Sequence, residues 1–179
     1  LTALKLLSSK KKIGVLGAGS IGTALLRILE AASIQSHFYD ADAKQIVDSA
    51  AIFCPSIDVL LNEADVIVGT TGTDALRGVA LECVSGKKIL ASASSADVEF
   101  ASLLQLAAPT KEPFDIRKVK VHDKLSVDIL NGGYPLNFDC TKDATPSQDI
   151  VLTRCLMYIA VMQAVALAEQ NTQRGGIYN

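Results

Sequence analysis

A doubly wound α/β fold with a mostly parallel sheet is what this 179-residue sequence predicts, on three observations. Short apolar runs alternate with helical patterns in the order β-α-β-α-β-α between residues 11 and 107. Three glycines stand between the first apolar run and the first helical pattern in "KKIGVLGAGSIGTALLRILEAASIQSHFYDAD", residues 11–42. An acid, Asp40, closes the second apolar run.

The elements follow in chain order. "KIGVLGAG" reads as a buried strand bounded by glycine, and from Ser20 onward Ile21, Ala24, Leu25, Ile28 and Leu29 recur at helical spacing, predicting one apolar face. "IQSHFYD" is the second strand, "ADAKQIVDSA" a short helix, and "AIFC" a weak strand before a turn or helix through "SIDVLLNEA". "DVIVGTTG" is a strong strand with a polar exit, and "ALRGVALECVSG" predicts helical turns. "KKILASAS" is the next strand, and "SADVEFASLLQLA" a helix started by Ser95 or Asp97. Past Pro109 the character changes. "IRKVKVHDKLSVDIL" alternates polar and apolar residues as half-exposed strands do, "NGG" at 131–133 is a hairpin-turn signal, and "YPLNFD" reads as a short strand. The last segment, "SQDIVLTRCLMYIAVMQAVALAEQ", predicts one long helix capped by Ser147 or Asp149. It is apolar on nearly every face, which calls for cover by the sheet, a second subunit or another domain.

Composition narrows the function classes. Apolar residues make up 49% of the chain, which argues for a packed core in one domain, residues 1–179. The net charge is -2 with acids and bases interspersed, so no nucleic-acid or polybasic membrane footprint is expected, and Lys10, Lys11 and Lys12 read as a solvated strand entry. The longest apolar run, within Cys155–Ala168, is broken by Gln163 and reads as too short to span a membrane. Four cysteines without paired spacing and only two histidines argue against a metal centre and fit free thiols in a reducing cytoplasm. The first residue is not Met, so a fragment of a longer chain is the expectation.

Gly17, Gly19 and Gly22 form GxGxxG in its required context of strand, helix and a distal acid. The first glycine permits a tight strand-to-helix turn, the second clears a path for a pyrophosphate, and the third lets helix and strand pack closely. The amides from Ser20 onward, at the positive end of the helix, then receive phosphate. Asp40 suits the two ribose hydroxyls of an adenosine and repels a 2′-phosphate, and Ala41, Asp42 and Ala43 supply no arginine, so NAD(H) is expected over NADP(H). The competing reading is a tight turn and a capping acid with no ligand. "GTTG" puts Thr70, Thr71 and Gly72 at the next strand exit, as a crevice lining or as a plain turn; "ASASS" ends the following strand with small residues that leave room for a flat ring such as nicotinamide.

"DVIVGTTGTDALRG", "KKILASASSADVEF" and "NGGYPLNF" together resemble the cofactor domain of the S-adenosylhomocysteine hydrolase family, over most of residues 11–167. That resemblance implies a Rossmann-type domain holding NAD. It implies pyrophosphate contacts at Gly17, Gly19, Ser20, Ile21 and Gly22, a ribose acid at Asp40 where the family has Glu, and a cofactor lining at Thr70, Thr71 and Gly72. It also places Asn137 on the family's asparagine beside the carboxamide. The departures are specific. Ser94, Ser95, Ala96 and Asp97 replace a Gly-His-Phe-Asp motif, with Glu99 close behind as in the family, and "DCTKDATPSQDI" lacks the family's late histidine. The family's substrate domain has no counterpart here, and neither His37 nor His122 falls where a base is needed. Cys140, without a neighbouring base, and Asp139, Asp143 and Asp149, without ligand spacing, carry no chemistry. Three functions remain open: the cofactor half of an NAD-dependent enzyme, a non-catalytic NAD-sensing or oligomerising module, and a scaffold that binds no nucleotide. Self-association through the long helix, as a dimer, is expected.

Overall fold

The computed structural model describes residues 11–42, 49–94, 97–136 and 147–174, except the side chains of 147–150 and 169–174. Seven strands form one sheet in the order β3-β2-β1-β4-β5-β7-β6. They are β1 (Ile13–Leu16), β2 (Ser36–Tyr39), β3 (Ile52–Phe53), β4 (Val66–Gly69), β5 (Gly86–Ser92), β6 (Arg117–His122) and β7 (Leu125–Ile129). Every pairing is parallel except β6 with β7. Sheet order reverses at β1, with β2 on one side and β4 on the other, which makes the β1 exit a topological switch point.

Two apolar layers sandwich the sheet, as a doubly wound fold requires. On one face Ile13, Val15 and Phe38 meet Leu26 and Leu29 of helix α1 (Ser20–Ala31). On the other, Leu16, Ile67, Leu90, Val127 and Ile129 meet Leu60 and Leu61 of α2 (Ile57–Glu63) and Leu103 of the short α3 (Ala101–Leu104). Each such fully buried Leu, Ile or Val contributes about 1.5–3 kcal/mol relative to exposure. Lys88 is a charged side chain buried in this core, at 5% exposed. Its Nζ donates to the carbonyl of Ala64 at 2.9 Å, satisfying the C-terminal end of α2, and burial pushes its pKa down against the weaker pull of Asp65 and Glu63.

The structure corrects several expectations. In α1 the buried stripe is Gly22, Leu26 and Leu29, while Ile21 and Ile28 face out, each at least half exposed. The reason is Gly22. A Cβ there would overlap the carbonyl oxygen of Gly17, so the helix must turn its one bare position toward the strand exit. Residues 75–78 and 82–83 form turns and no α-helix. The helix expected over 95–107 contracts to α3, and Asp74 caps it from a distant loop, accepting from Ser102 N at 3.1 Å and Ser102 Oγ at 3.0 Å. The late hairpin exists, but Asp123 and Lys124 make its turn between β6 and β7. "NGG" instead forms a 3₁₀ segment in which Asn131, Gly132 and Gly133 all have positive φ, because Gly132 and Gly133 lie against Pro113 and Leu104 with no room for a side chain. From "YPLNFD", Pro135 bridges to Ser92. The middle of the helix expected over 41–50, residues 43–48, together with the cap at Ser95, Asn137, Asp139, Cys140 and Asp143, lies outside the described residues.

Residues Cys140–Asn179 form a separate compact unit, whose described part is helix α4 (Ser147–Arg174). It runs past the Gln170 end expected from sequence. Taken by itself it exposes Leu152, Met157, Tyr158 and Val161 among other large apolar residues. Val151–Ala168 has a mean hydropathy of 1.8 over 18 residues, long and apolar enough to cross a membrane despite Gln163. A helix covered on all sides by protein has the same composition.

Gly22→Ala is expected to lower stability by about 1–3 kcal/mol, since the methyl group meets backbone that cannot yield without moving α1 off the sheet. Thermal unfolding of the variant beside the parent chain reads this directly, and an unchanged midpoint would refute the close helix–strand contact.

Candidate functional site

The parallel register brings four strand exits to one edge. Leu16 aligns with Tyr39 on one side and Gly69 on the other, and Gly69 aligns with Ser92. The ladder continues just past the strands: Gly17 N donates to Tyr39 O at 2.8 Å, Thr70 N to Leu16 O at 2.9 Å, and Ala93 N to Gly69 O at 2.8 Å. Between these exits opens a cavity of about 390 Å³ lined by Leu16, Gly17, Gly19, Tyr39, Asp40, Ala41, Ile57, Thr70, Thr71, Thr73, Asp74 and Ala75. Five of the residues singled out from sequence, Gly17, Gly19, Asp40, Thr70 and Thr71, therefore share one wall system, at the end of the sheet where ligands bind in open α/β folds.

Each of the three glycines has a different geometric reason. Gly17 turns the chain at φ +100°, a conformation that side chains rarely adopt. Gly22 packs on the Gly17 carbonyl. Gly19 has an extended backbone that any residue accepts, and a Cβ built on it meets nothing within 4 Å. Its bareness serves no packing need of the chain. Gly19 is also the N-cap of α1, with no capping side chain over the amides of the first turn, where Ser20 and Ile21 are exposed.

The two sides of the glycine turn are braced differently. On the β2 side Asp40 Oδ2 accepts from Ala18 N at 2.5 Å, and Oδ1 from Asp42 N at 2.8 Å. The acid thus shapes the turn, and each oxygen retains lone-pair capacity for another donor. On the β4 side Thr70 Oγ1 donates to Gly17 O at 2.9 Å. The turn from Thr71 to Gly72, with Gly72 at φ +70°, is gripped from below by Glu99. Oε1 accepts from Thr71 N and from Thr71 Oγ1, both at 2.8 Å, and Oε2 accepts from Gly72 N at 2.9 Å. Glu99 is 0% exposed. At the β5 exit Ser92 and Ser94 are buried, with their hydroxyls 3.0 Å apart.

Sequence reasoning missed Tyr39, Thr73, Asp74 and the brace at Glu99. The available signal for Glu99 was an acid inside an apolar helix-like run, "VEFASLL", where a charge has no business without partners. His37 lies mid-strand in β2, buried, with Nδ1 3.9 Å from Cys54 Sγ, whose thiol pKa burial pushes up; His122 lies in β6 with Nε2 3.1 Å from the Leu81 carbonyl. Neither lines the cavity, as expected.

The residues present fit a dinucleotide: a bare position opening onto the cavity, unscreened first-turn amides, and an acid at the neighbouring strand exit. Residues 3–78 match a family model described as the NAD binding domain of D-isomer specific 2-hydroxyacid dehydrogenases. Uncharacterised proteins from two Mycobacterium tuberculosis strains are 30% identical over 166 residues, 92% of this chain and 32% of theirs; the chain spans about a third of the length of these relatives. Among solved structures, D-lactate dehydrogenase with NAD+ from Lactobacillus jensenii is similar at 25% identity, covering 53% of this chain and 30% of that one, with a TM-score of 0.41. An imine reductase from Pseudomonas sp. is similar at 21% identity, covering 49% and 33%, with a TM-score of 0.43. The family match spans the glycine turn, Asp40 and the Thr70–Gly72 exit. The chain carries an NAD-binding domain of Rossmann type, and NAD is its cofactor.

Proposed function

We propose that this chain is the cofactor-holding half of a larger NAD-dependent enzyme, which moves a hydride between the nicotinamide and a secondary alcohol or ketone carbon. The observation that carries the reading is Gly19, a bare residue opening onto the cavity where the fold itself has no use for bareness. In this reading Gly17, Gly19, Ser20, Ile21 and Gly22 surround the pyrophosphate, Asp40 takes the adenosine ribose, and Thr70, Thr71 and Gly72 run beside the remainder. Asn137 is assigned to the carboxamide on the family resemblance alone. The resemblance to S-adenosylhomocysteine hydrolase and the 2-hydroxyacid dehydrogenase match agree on NAD and on oxidation at a hydroxyl-bearing carbon. They differ only in the substrate that bears it.

The titratable side chains lining the cavity are Tyr39, Asp40 and Asp74. Asp40 is held by two backbone amides and Asp74 caps α3, so among the described lining residues neither carboxylate is placed as the acid–base group that hydride transfer needs, and in this reading a substrate domain supplies it. The threefold greater length of the curated relatives supports a separate substrate domain. The apolar α4 is then an interface helix, covered by that domain or by a second copy in a dimer. That both described lining carboxylates serve the backbone equally favours a second reading, a module that senses NAD without chemistry.

Calorimetric titration of the chain tests the cofactor assignment. NAD is expected to bind at least about tenfold more tightly than NADP, because a 2′-phosphate meets the Asp40 carboxylate at close range. Equal affinities would refute the ribose assignment of Asp40. Gly19→Val is expected to unfold at the same temperature as the parent and to lose NAD binding, since its side chain enters open space in the fold and phosphate space in the complex. Retained affinity in the folded variant would remove the pyrophosphate from this turn.

A further inference from the structure

Glu99 lies 28 positions beyond Thr71 in sequence, yet both its carboxylate oxygens are occupied by that turn. Its main chain grips the same loop, with Ala75 N donating to Glu99 O at 3.0 Å. Room for the acid is made by Gly69, the last residue of β4. A Cβ there would overlap Glu99 Cγ and sit 2.7 Å from Oε1. A fully buried acid facing a glycine that makes way for it is costly unless it satisfies its neighbours, and here its hydrogen bonds among the described residues go to one cavity-lining turn.

The sheet order says which part of the dinucleotide that turn faces. Asp40 follows β2 and the 70–72 turn follows β4, on opposite sides of the glycine turn after β1. With the adenosine ribose at Asp40 and the pyrophosphate over the glycines, the nicotinamide riboside extends over β4 and β5. We propose that Glu99 is a positioning residue which, by holding the Thr71–Gly72 turn, sets the affinity of the site for the nicotinamide riboside half of NAD and leaves the adenosine diphosphate half untouched. The inference rests on the NAD-binding reading above. The carboxylate never touches the cofactor; it acts through the amides and hydroxyl it orients.

The test compares NADH with ADP, which lacks the nicotinamide riboside, by calorimetry on the whole chain, with thermal unfolding recorded for each variant. In Glu99→Gln the shape is kept, but one acceptor becomes an amide donor facing an N–H or O–H group. NADH affinity is expected to fall about tenfold and ADP affinity by less than about twofold. Gly69→Ala, which displaces the acid without removing it, is expected to give the same selective loss. A parent chain that binds NADH and ADP, with both ligands weakened equally or neither weakened in the folded variants, overturns the role of Glu99 alone. A parent chain that binds neither ligand overturns the NAD reading and this inference with it.

Discussion

The constraint on which the site depends is the contact between the first turn of α1 and the exit of β1. The chain leaves Leu16 and reverses at Gly17 with positive φ, and the helix that follows must lie on the Gly17 carbonyl at Gly22. No side chain fits between them. That contact fixes the rotation of α1, and so selects Leu26 and Leu29 for the core and leaves Ile21 and Ile28 outside. It also points the N-terminal end of the helix, with its partial positive charge and uncovered amides, at the cavity. The Thr70 hydroxyl then ties β4 to the same carbonyl, so the two central strands and the helix share one anchoring point.

Around that anchor, the polar groups of the crevice are already engaged with the backbone that forms it. Asp40 holds the Ala18 amide, Glu99 holds the 71–72 turn, and Asp74 holds the start of α3. A buried or half-buried carboxylate satisfied by amides is a rigid object, and rigidity at the cavity wall lowers the ordering cost of binding. The arrangement suits holding a cofactor in one pose. Among the described residues, the two carboxylates that line the cavity, Asp40 and Asp74, are both engaged in shaping it.

Much of this was legible in the residues. The alternation of apolar runs and helical patterns located the central strands, and Gly17, Gly19 and Asp40 of the GxGxxG-plus-acid pattern lie on one cavity. The misreadings share a cause. "NGG" carries hairpin chemistry, yet its positive φ values serve close approach to Pro113 and Leu104, while the plain residues Asp123 and Lys124 turn the hairpin. "SADVEFASLLQLA" has helical spacing, but the segment before Ala101 bends so that Glu99 reaches a turn far behind it. The Ile21 stripe looked like the buried face of α1 because apolar spacing records which residues align and not which aligned set faces inward.

What the sequence determined by itself was local and periodic: the order of the central strands, the parallel doubly wound class, the glycine turn, and an acid at the second strand's exit. These follow from conformational preferences and spacings that act within a few residues. Only the tertiary structure decided the rotation of α1, the cap that Asp74 lends to α3, and the burial of Lys88 under the carbonyl end of α2. It alone made Glu99 the brace of the cofactor wall. Each of these joins groups at least five, and in most cases more than twenty, positions apart. Each is a hydrogen bond or a steric exclusion that exists only once two elements have been brought into contact, so no local pattern encodes it.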